Sequence, residues 1–249
     1  AILMLTGPAW PKHRAQRGFT LIELLVAISV MALMAVLSWQ GLDGMTRAHA
    51  QLQQRADEVL TLQAGLNQWG TDLDAIVQIP QTPALDWDGR ALRLTRRSLA
   101  TPDASRPQLG AAEEVMRVVA WARRDMDGNG HWLRWQSPPL RTRGDVQAAW
   151  ALAAQWAQNP GDAEKRGEVR VALLSQWQVF FYRGGAWTNP LSSTGDSAAV
   201  APAPVSGTPS TDAALPDGVR LVLTLPDGQA IAGTLTRDWV RPTLGGGKS

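Results

Sequence analysis

The pattern of the chain begins with an abrupt change from basic to apolar positions. Lys12, Arg14 and Arg17 lie in a short leader, and the run at residues 19–39 that follows contains a single charged residue, Glu23. A helix needs roughly 20 apolar residues to cross the hydrocarbon core of a bilayer. The pattern therefore predicts a membrane-spanning helix at residues 19–39, with the basic leader on the cytoplasmic side.

Helical periodicity continues beyond the apolar run. Apolar residues recur at steps of three, four or seven, with polar residues between them, which predicts an amphipathic helix lying on a globular head. Pro80 and Pro83 forbid its continuation, so we expect the helix to end near residue 76, within an amphipathic segment at 40–79. The stripe consists of Leu52, Val59, Leu62, Leu66, Trp69, Leu73 and Ile76.

From residue 85 onward the apolar positions alternate, which is typical of strands. Residues 92–95 and 174–182 predict single strands. Residues 115–121 and 131–135 predict a hairpin whose turn uses Asn129 and Gly130, and residues 219–239 predict a second hairpin with Asp227 and Gly228 at its turn. The expected fold class is α+β: a long amino-terminal helix packed on an antiparallel β-sheet head at residues 80–244.

Two segments interrupt this strand pattern. Residues 147–158 predict a short helix between the strands along the chain, because Trp150, Ala153, Ala154 and Ala157 share one face. Residues 191–215 are rich in Ser, Thr, Ala and Pro and lack periodicity, which predicts a flexible loop. Residues 245–249 form a glycine-rich tail.

Composition narrows the possible chemistry. The 249 residues include no cysteine, so disulfides, thiol catalysis and thiolate metal sites are excluded. The stability of the head must therefore come from its hydrophobic core, to which 12 tryptophans can contribute a large apolar surface. We expect Trp69, Trp177 and Phe181 to be buried in that core. Without the three basic leader residues, 21 basic residues oppose 22 acidic ones, a net charge of −1, and nothing predicts nucleic-acid binding.

One heptapeptide carries a specific resemblance. Arg17-Gly18-Phe19-Thr20-Leu21-Ile22-Glu23 resembles the processing and methylation site of type IV prepilins and type II secretion pseudopilins. The resemblance implies that a prepilin peptidase cuts between Gly18 and Phe19, removing the leader at 1–18, and methylates the new amine of Phe19. It also implies that Glu23 guides filament assembly by pairing with such an amine on a neighbouring subunit.

The order of elements beyond the leader resembles the minor pseudopilin J class of type II secretion. The Trp-rich hairpin, the strand ending in Val-Phe-Phe-Tyr and the Leu-Pro-x-x-Val start of the final hairpin follow one another as in that class. This implies a subunit near the tip of a periplasmic pseudopilus, anchored in the inner membrane. Its implied partners are the prepilin peptidase, the minor pseudopilins I and K, the major pseudopilin and membrane lipid.

Other interpretations of the amino terminus remain open. A minor pilin of a type IV pilus or a competence system has the same amino terminus and a similar head. A secretory signal peptide would be cut near Ala35, although the apolar run is longer than such peptides need. A plain signal anchor would carry a binding domain that does not polymerise. Residue 1 is alanine, so we expect translation to start upstream or at Met4.

Two further kinds of site chemistry can be considered from the residues. Asp125, Asp127 and Asn129 match the first half of a calcium-binding loop, but the position of the bidentate glutamate holds Gln136. The paired acids Asp72 and Asp74 are expected to be solvated. Since no nucleophile motif or histidine spacing accompanies them, we expect no enzyme activity and no cofactor.

Overall fold

The computed structural model describes residues 18–99, 114–192 and 215–242. A long amino-terminal helix is followed by an antiparallel β-sheet head, which confirms the expected α+β, pilin-like architecture. The predicted leader up to residue 17, most of the predicted loop at 191–215 and the tail at 245–249 lie outside the described residues.

Helix α1 spans Leu21–Asp74 without interruption and ends before Pro80, close to the predicted end. It contributes to two compact units, residues 1–53 and residues 54–249. In the first unit the helical residues are almost all exposed. In the second, the stripe predicted from the sequence is buried at Leu62, Trp69 and Leu73.

The first sheet of the head contains five antiparallel strands in chain order. The predicted hairpin at its centre is confirmed, but its strands are longer than expected and its turn is different. Asp127 and Gly128 form the turn, with φ of 54° and 80°, whereas Asn129 and Gly130 lie in the following strand. Two residues with positive φ match the right-handed twist of the flanking strands. The strands are β1 (Leu85–Trp87), β2 (Ala91–Leu99), β3 (Glu114–Met126), β4 (Asn129–Gln136) and β5 (Glu168–Leu173).

The second sheet contains four antiparallel strands, β6 (Gln176–Arg183), β7 (Ala186–Thr188), β8 (Gly218–Leu225) and β9 (Gly233–Val240), in the order β7-β6-β8-β9. The strand expected at 174–182 begins later, because Leu174 and Ser175 lie where the chain passes between the sheets. The Leu174 amide donates to Gly130 in the first sheet, and the Ser175 amide donates to Thr224 in the second. The terminal hairpin is confirmed, with a longer turn at 226–232.

The two faces of the first sheet bury different cores. One face carries Trp121 and Trp132, which pack with α1 and with apolar residues of the second sheet. The other face carries Val118 and Leu133 and packs against helix α2 (Arg143–Gln158). The helix expected at 147–158, between the strands of the head, is confirmed as α2, and it covers a core of its own. A short helix, α3 (Asp162–Lys165), follows it.

Candidate functional site

Two side chains of the heptapeptide cap the amino-terminal end of α1. Thr20 precedes the first helical residue, and its hydroxyl accepts a hydrogen bond from the Glu23 amide at 3.4 Å. In return, Glu23 Oε2 accepts from the Thr20 amide at 3.2 Å and from the Thr20 hydroxyl at 3.0 Å. This reciprocal arrangement is a capping box, which satisfies amides that have no partner inside the helix.

The predicted cleavage site lies outside helix α1, on the amino-terminal side of the capping box. Gly18 and Phe19 precede the first turn, and 88% of Phe19 is exposed. A Cβ placed on Gly18 would meet no atom within 4 Å. The Gly18–Phe19 peptide bond is therefore open to a peptidase without unwinding the helix. The role of Thr20 was missed in reading the sequence, although Thr-x-x-Glu ahead of an apolar run is the signature of this cap.

Glu23 retains capacity for a second partner. Its side chain is exposed, and among residues 18–99, 114–192 and 215–242 no cation forms an ion pair with it. The capping box uses Oε2, which leaves Oε1 able to accept hydrogen bonds from an amine on another chain. An ammonium and a carboxylate brought together in an apolar environment attract each other strongly, which offsets part of their loss of hydration.

The helix that follows Glu23 is apolar on all sides. Its most apolar 18-residue window has a mean hydropathy of 2.5, and none of that window is buried. An all-apolar exposed helix requires lipid or other apolar helices around it. The exposed apolar residues include Leu21, Ile22, Leu24, Leu25, Val26, Ile28, Val30, Met31, Leu33, Met34, Val36 and Leu37.

The candidate calcium ligands lie at the tip of the first hairpin. Both carboxylate oxygens of Asp125 accept hydrogen bonds from Arg123, at 2.6 and 3.0 Å. Asp127 is in the turn and Asn129 pairs with Met126 in the ladder. The described part of the chain contains no group of three or more His, Cys, Asp or Glu side chains suited to a metal. Calcium binding by Asp125, Asp127 and Asn129 stays an untested prediction.

The expectation that Asp72 and Asp74 are solvated was wrong for Asp72, which is fully buried. Its carboxylate accepts hydrogen bonds from Arg134 Nε at 2.8 Å and Nη2 at 2.9 Å, and from Trp121 Nε1 at 2.9 Å. Arg96 and Gln68 also donate to it. Asp74 is exposed, but it accepts from Trp239 Nε1 at 2.8 Å.

The Asp72 cluster fixes α1 to the first sheet, since its donors come from the helix and from three strands. A buried carboxylate with this many donors is a structural group, held by charge-assisted hydrogen bonds. The burial of Asp72 could have been predicted from the sequence. Asp72 follows Trp69 by three residues and so lies on the apolar face of the helix, where a carboxylate needs hydrogen-bond partners.

Comparison with known proteins identifies one segment. Residues 13–39 match the prokaryotic N-terminal methylation motif. No curated protein matches the chain. The matched segment contains the Gly18–Phe19 bond, the capping box and the exposed apolar helix. The chain thus carries the methylation motif of the type IV prepilin and pseudopilin family, on an apolar helix that fits a membrane-anchored, pilin-like protein.

Proposed function

We propose that this protein is a minor pseudopilin of a type II secretion system, a subunit at or near the tip of the periplasmic pseudopilus that supports export of folded proteins. One observation carries the proposal. The methylation motif is joined to a helix that is capped at Thr20, exposed along its apolar length and followed by a β-rich head. A subunit of a helical filament needs such a start, since its helices must pack against other copies.

Assembly is the proposed mechanism. The prepilin peptidase cuts after Gly18 and methylates the amine of Phe19 while the chain lies in the inner membrane, with its head in the periplasm. Glu23 of one subunit then pairs with the methylated amine of the next as the helices come together. The pair offsets the cost of burying each charge in an apolar bundle. Residues 21–37 supply the packing surface, and the head contacts the I and K subunits and the major pseudopilin.

The variant Glu23→Gln tests the charge pair separately from the cap. Glutamine closes a capping box as glutamate does, but it cannot pair as an anion with an amine. We expect Glu23→Gln to be cleaved and methylated normally and to enter filaments poorly, because breaking a buried pair costs about 3–5 kcal/mol, more than about a hundredfold in affinity. The measurement is the fraction of chain recovered in sheared or purified filaments.

Thr20→Ala is the matched control, since it removes the cap and keeps the charge. Loss of an N-cap costs about 1 kcal/mol, so this variant should assemble far better than Glu23→Gln. Wild-type assembly by Glu23→Gln would contradict the pairing role.

The type of filament is decided by partners and phenotype. Site-specific crosslinking of the head in membranes should recover the I- and K-class minor pseudopilins, and deletion of the gene should stop secretion of folded exoproteins. Normal secretion combined with lost piliation or lost DNA uptake would instead assign the chain to a type IV pilus or a competence system. Neither defect would favour an anchored binding protein that does not polymerise.

A further inference from the structure

A cleft of about 600 Å³ opens in the head beside α3 and the start of β5. It lies in the unit formed by residues 54–249 and includes no residue of the methylation motif. Strand β3 of the first sheet contributes Arg117 to its lining, and strand β4 contributes Arg134, Trp135 and Gln136. The charged and polar residues that line it include Arg117, Arg134, Ser137, Glu164, Arg166 and Glu168.

Arg117 is a buried cation without a counter-ion. Only 8% of the residue is exposed, and its Nη1 donates to the carbonyl oxygen of Ser137 at 2.8 Å. Its Nε is buried and has no hydrogen-bond partner. Within the described residues no carboxylate pairs with Arg117. Guanidinium groups are rarely buried unless an anion compensates them.

The surroundings of Arg117 add positive charge. Arg96 lies directly opposite it in the β2–β3 ladder, and both Arg96 and Arg134 bind the single carboxylate of Asp72. Burial, together with the charges of Arg96 and Arg134, lowers the pKa of Arg117 below its ordinary value. The positive charges of Arg96 and Arg134 therefore destabilise the buried guanidinium of Arg117.

The carboxylates near the cleft do not neutralise this positive charge. Glu168 is already bound by Arg124 and by Trp156 Nε1 at 2.8 Å. Counting the lining residues and the charged groups bonded directly to them, guanidinium groups exceed carboxylates by one. The cations are Arg117, Arg124, Arg134 and Arg166, and the anions are Asp72, Glu164 and Glu168.

We propose that this cleft binds an oxyanion, a carboxylate or phosphate group, through Arg117. Nη2 of Arg117 donates no hydrogen bond within the described residues, and a planar guanidinium is suited to such groups. The anion neutralises the cation that the fold leaves uncompensated. The site uses head residues alone, so it stands independently of processing and filament assembly.

The test uses the full chain in a non-ionic detergent at constant ionic strength. Thermal unfolding followed by tryptophan fluorescence is measured against sodium phosphate and against a capped Gly-Glu-Glu-Gly peptide, with its Gly-Gln-Gln-Gly analogue as the uncharged reference. A ligand that binds only the folded state raises the unfolding midpoint. We expect at least one of the two anionic probes to raise the midpoint of the wild-type chain.

Arg117→Gln should abolish that response while keeping a donor for the Ser137 carbonyl. The matched control is Arg237→Gln, because Arg237 is an exposed arginine in the other sheet, and it should respond as wild type. Without anion, Arg117→Gln should be at least as stable as wild type, since it removes an unpaired buried charge.

Each outcome bears on the proposal. A response to phosphate alone supports the site with a free inorganic anion as its ligand, and a response to the Glu-Glu peptide supports an acidic segment of another chain as the source. The proposal is overturned if neither probe raises the wild-type midpoint, which holds even if a variant fails to fold. An equal response in Arg117→Gln and wild type also overturns it.

Discussion

Asp72 shows how a single carboxylate can organise the junction between a helix and a sheet. It is fully buried in the last turn of α1, where the helix dipole disfavours an anion. Two arginines from β2 and β4 and the indole of Trp121 satisfy both of its oxygens. Removal of the anion would leave Arg96 and Arg134 without their shared counter-ion inside the head.

Asp72→Asn is therefore expected to destabilise the head strongly. Asparagine has nearly the same shape but no charge, and breaking a buried ion pair from one side costs about 3–5 kcal/mol. The measurement is the free energy of unfolding in urea, followed by tryptophan fluorescence. Asp57→Asn, at an exposed position of the same helix, should stay within about 0.5 kcal/mol of wild type. Equal effects of the two substitutions would contradict the structural role of Asp72.

At the residue scale, local signals and long-range ones differ in what the sequence reveals. Gly18, Phe19 and Glu23 lie within one heptapeptide, so their roles could be predicted before the fold was known, and those roles stay predictions. Asp72 was misjudged because its donors Trp121 and Arg134 are 49 and 62 residues away in the chain. In the same way, no local pattern around Arg117 predicts that the fold buries it beside two other arginines.

At the scale of elements, close packing of α1 against β5 depends on Gly65. A Cβ on this residue would overlap Cγ1 of Val171 and lie 3.4 Å from the ring of Trp132. Val171 is β-branched and buried, so it has little freedom to move aside. The missing side chain therefore sets how closely the helix approaches the sheet.

Gly65→Ala should destabilise the head by about 1–3 kcal/mol, because overpacking displaces the neighbours. Gly70→Ala provides the control, since a Cβ there would meet nothing within 4 Å, and it should stabilise the helix by up to about 1 kcal/mol. Urea unfolding of both variants gives the comparison. Adding Val171→Ala to Gly65→Ala should recover part of the loss, and purely additive effects would show that the two residues do not clash.

The ion pair between Arg220 and Asp238 links β8 to β9. It makes part of the free energy of unfolding depend on pH. Arg220 Nε and Nη2 each donate to Asp238 at 2.7 Å. These hydrogen bonds, with a smaller contribution from the charge of Arg220, lower the pKa of Asp238 below its ordinary value of 3.8. The unfolded chain therefore takes up this proton first as the pH falls, and the folded state loses the contribution of the pair.

We expect the contribution of Asp238 to be complete above pH 3.8 and to disappear as the pH falls through its lower folded pKa. The stability difference between wild type and Asp238→Asn should accordingly shrink as solutions are acidified below that value. Urea unfolding across the acid range measures it, with the exposed turn residue Asp227, changed to Asn, as the control. A constant difference at all pH values would show that the ion pair contributes nothing.

Elements governed by local pattern were predictable, and those governed by distant pairing were not. The helix, the two hairpins and α2 have strong periodicity or turn residues, and each was found. The short strand β1 and the strand β5 were missed, since such strands depend on their neighbours for stability. The passage from one sheet to the other at Leu174 and Ser175 lay inside an unbroken strand pattern, so only the ladder partners reveal it.

At the scale of the whole molecule, the sequence predicted the α+β class and the order of helix and strands. It did not predict two separate sheets or the second core beneath α2. Alternation shows which positions of a strand are buried, but a central strand such as β3 is buried on both faces, and its apolar run does not say what covers each face.

The amino terminus of the mature chain distinguishes a processed pilin-like subunit from an anchored or secreted protein. The first measurement is the intact mass and amino-terminal sequence of the chain recovered from membranes, with and without its prepilin peptidase. We expect the mature chain to begin at N-methylated Phe19, and only when the peptidase is present. An uncut chain, or a cut near Ala35 that does not require the peptidase, would contradict the pseudopilin account.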